Sequence, residues 1–437
     1  MTANYKAAKK RTRQVISQSE PVPKRIPHTS GIKYPEFVPA FFTLRDELEQ
    51  LTFERSMASN LVDSDTLQGD LFIVSFFAGS GLLDLGFEKA GFTPILVNEW
   101  NQEFLAAYNF SRKQMRIPLP AFGFSSDSVE TFLTTNRKLL EETIATARRK
   151  GLVGFIGGPP CPDFSVGGKN RGRHGDNGKL TKTYFELILQ NKPDWFLFEN
   201  VKGLWRTKRH REFYDEMILS VLKAGYAVSN HLVNAIEYGV PQDRDRIIAV
   251  GFSKGICTKL GLESGKMIPD GIFPWQKEKL FQRKQVFDLP WPQPQPFGSV
   301  SQKPSSIPLE LTIGHWFKTN DVTKHPNAIH CFKPRAGLAR FKAVAEGDVS
   351  RKSYKRLHRW RYSPTACYGN NEVHLHPWLA RRITAAEALA IQSLPKDFQL
   401  PPKMTLSAMF KTIGNGVPFL AALGLAKTIR KFLEEKL

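Results

Sequence analysis

The 437-residue chain is 41% hydrophobic and 24% charged, as expected of a soluble globular protein with room for one large domain and a smaller one. Its 62 Lys and Arg exceed 41 Asp and Glu, a net charge of +21 that points to nucleic acid or another polyanion as partner. No apolar run nears the roughly 20 residues that span a bilayer, and Cys161, Cys257, Cys331 and Cys367 lack disulfide-framework or zinc-ligand spacing; these features exclude a membrane span, a disulfide scaffold and a metal centre, and fit a reducing cytoplasm.

Residues 1–34 carry Lys6, Lys9, Lys10, Arg11, Arg13, Lys24 and Arg25 against one acid, Glu20, and read as a flexible basic arm. Residues 37–61 read as one or two accessory helices. Leu71–Phe77 is a continuous apolar run, the pattern of a strand buried on both faces of a parallel sheet. It runs into Ala78-Gly79-Ser80-Gly81-Leu82, a Gly-rich strand-to-helix turn where a ligand can approach the backbone and its amide donors. The glycine spacing departs from the dinucleotide fingerprint. The next strand, Pro94–Asn98, ends at Glu99-Trp100, an acid placed for ribose hydroxyls beside a ring suited to a nucleobase. Asp127 follows in a polar stretch, and an amphipathic helix is expected over 129–150.

Val153–Ile156 is a third buried strand, stopped by Gly157-Gly158-Pro159-Pro160, after which Cys161 is offered at the sheet edge. Lys169, Arg171 and Arg173 alternate with glycines in the loop beyond. A thiol there is either a small buried hydrophobe or a nucleophile working on a polyanion, and these ten residues leave both readings open. Tyr184–Leu189 reads as helix. Trp195–Phe198 is a strand that delivers Glu199 to the same edge, where a desolvated carboxyl group can serve as an acid. His231–Ile236 and Ile247–Phe252 read as an antiparallel pair. Between them Gln242-Asp243-Arg244-Asp245-Arg246 puts two arginines on one strand face, able to fork to phosphate or base oxygens or to pair with the aspartates. From Lys254 to about Arg361 the chain is rich in Pro, Lys and aromatic residues without long periodicity. Arg381–Leu394 reads as a helix with a Thr384/Glu387 capping box, and Gly414–Pro418 is expected to open the last helix.

In this order the blocks Phe76–Gly81, Asn98–Trp100, Gly158–Cys161, Phe198–Val201, Gln242–Arg246, Arg381–Leu394 and Gly414–Val417 resemble the DNA (cytosine-5) methyltransferases of bacterial restriction–modification systems. The resemblance implies an α/β fold: a doubly wound, Rossmann-like sheet that binds S-adenosylmethionine, with a smaller irregular target-recognition domain. The implied division is a catalytic domain at 35–253 and 414–437, target recognition at 254–375, and a hinge and connecting helix at 376–413. It implies Cys161 as nucleophile, Glu199 as acid, Arg246 on the base O2 and Arg244 on a phosphate or the catalytic loop. Phe77, Gly79, Leu82, Glu99, Trp100, Asp127, Pro160, Asn415 and Val417 would line the cofactor site. Gln242 and the Lys169/Arg171/Arg173 loop would contact double-stranded DNA around a flipped-out cytosine. The implied protein is a cytoplasmic monomer without metal, of a kind that can be paired with a restriction endonuclease acting on the same site.

Three positions depart from the family's habit: Pro162 where Gln usually follows the cysteine, Leu82 where a third glycine is common, and Gly416 in place of Ser or Ala. An RNA cytosine-5 methyltransferase is the nearest alternative, set against it the roughly hundred residues after Lys254. A catalytically silent DNA-binding protein is a second, opposed by intact Cys161, Glu199 and Arg246. A nicotinamide oxidoreductase fits the sheet but not the glycine spacing.

Overall fold

The computed structural model describes residues 70–160, 176–334, 337–368 and 372–435. The basic arm, the accessory segment 37–61, Cys161 and the Lys169/Arg171/Arg173 loop lie outside the described residues.

Seven strands form one sheet: β1 (Leu71–Phe76), β2 (Thr93–Asn98), β3 (Phe124–Ser125), β4 (Leu152–Gly157), β5 (Trp195–Val201), β6 (Ala227–Asn234) and β7 (Asp245–Phe252), in the order β3-β2-β1-β4-β5-β7-β6. The first five are parallel, and β7 enters antiparallel to both β5 and β6. The chain winds outward from β1 to β3, then crosses back to β4 beside β1. The switch point therefore lies between β1 and β4, and a crevice opens there at the carboxyl ends of the strands. Phe76 pairs with Gly157 across that point.

Side chains alternate between two cores, as a sheet covered on both faces requires. Leu71 and Ile73 face one, with Trp195 and Leu197; Phe72, Val74 and Phe76 face the other, with Phe196 and Phe198. The first face is covered by α1 (Leu82–Lys89) and the last helix, α13 (Phe419–Glu434). These two helices touch at Gly86, where a Cβ would come within 2.5 Å of Ala422 Cβ. After α2 (Gln102–Met115), the opposite face is covered by α3 (Arg137–Arg148), α4 (Asp176–Asn191) and α6 (Lys208–Lys223), the last preceded by the short α5 (Lys202–Arg206). The helix expected over 129–150 is two pieces, a 3-10 turn at Val129–Leu133 and then α3. The break falls at Thr134, whose φ of −130° and ψ of −100° are not helical.

Beyond β7 come α7 (Lys254–Leu260), α8 (Arg283–Phe287), α9 (Ile313–Thr319) and α10 (Leu338–Ala343), with no strand of the sheet among the described residues. Here backbone carbonyls find side-chain donors instead of a ladder. The fully buried Arg356 guanidinium donates to the carbonyls of Phe341, Val344, His376 and Leu379.

The expected Arg381–Leu394 helix is shorter: α11 spans Ala385–Ile391. Arg382 instead bridges to Leu375, and Arg381 turns back on the helix it was expected to start. The capping box forms as read, with Glu387 N donating to Thr384 Oγ1 and Thr384 N to the Glu387 carboxylate. Arg381 also forks onto Glu387 at 2.7 and 2.8 Å, and His376 Nε2 stands 3.4 Å from it. Burial alone would raise this carboxyl, but the hydrogen bonds from Arg381 and His376 outweigh it and hold it at about 2. A folded value below the unfolded one stabilises the protein above the unfolded value, and that contribution disappears as pH falls through 4.5 toward 2. Glu387→Gln should therefore cost roughly 2–3 kcal/mol at pH 7. In urea unfolding, the gap between variant and wild type should close steadily below about pH 4.5.

Gly414 and Asn415 do not open the last helix. They end α12 (Leu406–Asn415), and Gly416 and Pro418 separate it from α13.

Candidate functional site

β1 delivers its chain to the crevice in a turn with three left-handed residues, Phe77 (φ 57°), Gly79 (φ 58°) and Gly81 (φ 76°). Such a conformation costs a non-glycine residue roughly 1 kcal/mol or more, so Phe77 is held there by its surroundings. The amides of the turn do not await a ligand, contrary to the sequence expectation. Ala78 N donates to Asn98 O, Gly79 N to Glu99 Oε2 at 2.8 Å, Ser80 N to Thr412 Oγ1 at 3.2 Å, and Gly81 N to Ala78 O. The glycines provide close approach and a fixed shape; free donors at these four positions are not part of the arrangement.

Glu99 sits half-buried at the tip of β2, accepting Gly79 N and, on its other oxygen, Asn101 N at 2.8 Å. Burial raises its pKa, against the pull of these two amides and Lys411. Each oxygen retains acceptor capacity for a hydroxyl. Trp100 beside it is 76% exposed, a large apolar surface on the crevice rim. A half-buried carboxylate next to an uncovered indole fits a nucleoside. Asp127 follows β3 on the far side of Glu99, exposed, with its carboxylate accepting from Ser125 Oγ and Asn136 Nδ2, and its carbonyl from Asn98.

Leu82 and Gly416 meet: a Cβ on Gly416 would lie 2.4 Å from Leu82 Cδ2. Two of the departures noted in the sequence are thus a single steric exchange, bulk on one side and its absence on the other. Val417 is buried close by in chain, Asn415 is exposed, and Pro160 is half-buried at the exit of β4.

The second half of the site lies across the switch point. Glu199 is 7% exposed near the end of β5, and Gly158 is so close that a Cβ there would be 2.8 Å from Glu199 Oε2. Asn200 Nδ2 donates to Pro159 O at 3.3 Å, tying β5 to the chain one residue before Pro160. Arg246 Nε forms an ion pair with Glu199 Oε1 at 2.7 Å. Only an antiparallel β7 can do this, because it brings the start of that strand to the edge where the parallel strands end; Val201 pairs with Arg246.

Gln242 and Arg244 are placed otherwise than the sequence suggested. Gln242 is fully buried, donating to Gln392 Oε1 and accepting Ala366 N, both at 3.0 Å. Arg244 is 1% exposed and donates to the carbonyls of Ala366, Gly414 and Asn415. Neither side chain reaches a surface where DNA could lie. Both instead fasten the segment carrying Asn415 and Val417 to the start of β7. Gln392, which also donates to Ile413 O and Gly416 O, completes that fastening. Asp245 does pair, though not with the neighbouring arginines: it holds Lys202 and Arg283, each at 2.8 Å. Gln392, Thr412 and Arg112 escaped the sequence reading because their partners are 21 to 332 residues away in the chain. Among the described residues no cluster of three or more His, Cys, Asp or Glu could hold a metal ion.

The sequence pattern of C-5 cytosine-specific DNA methylases matches residues 71–431. The chain is 53% identical over 364 residues to the type II methyltransferase M.NmeDI of Neisseria meningitidis serogroup C, covering 83% of this chain and 84% of that protein. It is 30% identical to the type II methyltransferase M.XorII of Xanthomonas oryzae pv. oryzae, over 83% of this chain and 85% of the other. Among solved structures it resembles a DNA modification methyltransferase encoded within an E. coli prophage, with a TM-score of 0.53 and 20% identity over 84% of this chain and all of that one. At that identity the likeness is one of fold.

Proposed function

We propose a course of reaction from one premise: the chain belongs to the C-5 cytosine-specific DNA methylases, enzymes that place a methyl group on C5 of cytosine in DNA. S-adenosylmethionine, when bound, supplies an electrophilic methyl group on sulfur. Glu99 would hold the ribose hydroxyls and Trp100 the adenine. Phe77, Gly79, Leu82, Asp127, Pro160, Asn415 and Val417 complete the wall.

Cytosine C5 is a weak nucleophile. Addition of the Cys161 thiolate to C6, with a proton delivered to N3 by Glu199, turns the ring into an enamine whose electron density lies at C5. After C5 has taken the methyl group, loss of its proton reforms the double bond and expels the thiolate. Atoms balance: sulfur enters and leaves, N3 returns its proton to Glu199 as the ring is restored, and C5 exchanges a hydrogen, lost as a proton to solvent, for the methyl group of the sulfonium. Attack from either side of the ring is closed inside a stacked duplex, so the cytosine must leave the helix.

The observation that carries this reading is the Glu199–Arg246 pair, 2.7 Å apart and nearly buried at the strand edge beside Gly158, with Cys161 three residues further along. A cytosine ring presents N3 and O2 side by side. It can therefore meet both groups at once, with N3 toward Glu199 and O2 toward Arg246. Lys169, Arg171 and Arg173 would close on the phosphates. Residues 254–375 would read the sequence, with 376–413 as the connection back to the catalytic part at 35–253 and 414–437. Similarity to type II methyltransferases favours a restriction–modification enzyme; a cytoplasmic monomer with a cognate endonuclease is the arrangement we propose for it.

Expression in a host free of cytosine methylation, followed by bisulfite sequencing, should reveal one protected cytosine in a fixed short context. Methyl groups found on an exocyclic amine instead would overturn the reading.

A further inference from the structure

We propose that Arg112 is a positioning residue for the cofactor: it holds the Phe77–Gly81 turn from behind and so sets the affinity for the nucleoside ligand. The proposal rests on the reading of that turn and Glu99 as the S-adenosylmethionine site.

Helix α2 starts just after Glu99-Trp100, capped by Asn101, whose side chain accepts Phe104 N. Tyr108 and Arg112 lie one helical turn apart and so share the face directed at the turn. The Arg112 side chain is fully buried. Its Nη2 donates to Gly81 O at 2.7 Å, the same carbonyl that accepts the first helical bond of α1 from Leu85 N. Its Nε binds Glu88 at 3.1 Å, Nη1 faces Ser111 Oγ, and the guanidinium lies 4.2 Å over the Tyr108 ring. The Tyr108 hydroxyl donates to Asp84 Oδ1 at 3.2 Å.

Joining two helices does not call for this arrangement. A buried ion pair gives little net stability over apolar side chains of similar volume, so helix packing alone would be served as well by leucine or methionine. An apolar residue cannot hold a carbonyl of the turn. Contact is direct: a Cβ on Gly81 would be 2.5 Å from the Tyr108 ring and 2.8 Å from Arg112 Nη2. The turn is therefore gripped by Arg112 at Gly81, by Thr412 at Ser80 and by Glu99 at Gly79. Releasing Gly81 frees Gly79 to shift, and Glu99 loses the amide that orients it toward the ligand. An affinity effect separate from the chemical step is the consequence, because Glu199 and Arg246 stand on other strands, β5 and β7.

The test measures S-adenosylhomocysteine binding by calorimetry, and KM for S-adenosylmethionine and kcat on duplex DNA, in R112M, R112K and Y108F, with E99A as control. R112M should weaken S-adenosylhomocysteine binding and raise KM by about tenfold or more, the effect of removing a hydrogen bond from a charged donor. The kcat at saturating cofactor should stay within about twofold. R112K, able to reach one acceptor at a time, should recover part of the affinity. Unchanged affinity in folded R112M, or a fall in kcat with KM unaltered, would overturn the proposal. If R112M does not fold, unchanged affinity in both R112K and Y108F overturns it in the same way. Should E99A also bind S-adenosylhomocysteine normally, the cofactor site has been misplaced and the underlying reading fails with the proposal; a loss in E99A alone removes only the role of Arg112.

Discussion

Cys161→Ala is expected to lower methyl transfer by at least about 10⁴-fold, as when a covalent nucleophile is deleted elsewhere, while duplex DNA still binds. Two of the other three thiols are poor substitutes. Cys257 is buried, its Sγ donating to Phe252 O, and burial raises its pKa; Phe252 ends β7 and so lies at the edge of the sheet opposite Glu199. Cys331 lies against Arg382 O, and burial raises its pKa too. In the sequence Cys161 comes directly after Pro160, three residues beyond the Gly158 that stands against Glu199. DNA carrying 5-fluorocytosine gives the direct measurement. Fluorine cannot leave C5 as a proton does, so the thiolate cannot be expelled, and wild-type protein should form an adduct that survives denaturing electrophoresis. The alanine variant should form none. Full activity in that variant, or no adduct with the wild type, would remove Cys161 from the mechanism.

Much of the sheet is legible in the sequence because its strands are buried on both faces. Leu71–Phe76, Val153–Ile156 and Trp195–Phe198 are continuous apolar runs for that reason, and the residues just after each run fall at the carboxyl edge. Local pattern alone thus places Gly158 and Glu199 at that edge. The Thr384/Glu387 cap is legible because its chemistry spans only three residues. Gln242 and Arg244 are misplaced by sequence for the converse reason. Nothing within their own neighbourhood says that Ala366, Gly414 and Gln392, 122 to 170 residues further on, will supply buried partners. A polar pattern at a strand start looks the same whether it faces DNA or a returning segment. The turn amides mislead in the same way, since Thr412 lies 332 residues beyond Ser80. Leu82 and Gly416 look like two unrelated departures until their contact joins them.

Glu199→Gln should reduce kcat by about 10²- to 10⁴-fold, the usual contribution of a positioned proton donor, and leave the KM for cofactor within about twofold. Glutamine is the informative replacement. It has the same shape, so Gly158 keeps its close neighbour, and its amide oxygen can still accept from Arg246. What it cannot do is deliver a proton to N3. Without that proton the electron pair displaced when sulfur adds to C6 has to reside on the ring as an anion, and the adduct reverts before C5 can react. Alanine would confound the test, because it would also leave the Arg246 guanidinium, only 13% exposed, without its carboxylate. If glutamine preserved the wild-type rate, N3 would have to draw its proton from another group, and the ion pair would serve only to hold Arg246 against the base. Comparing the two variants on 5-fluorocytosine DNA separates these cases: a proton-transfer defect slows formation of the adduct at Cys161, whereas loss of Arg246 alignment weakens capture of the flipped base before any bond forms.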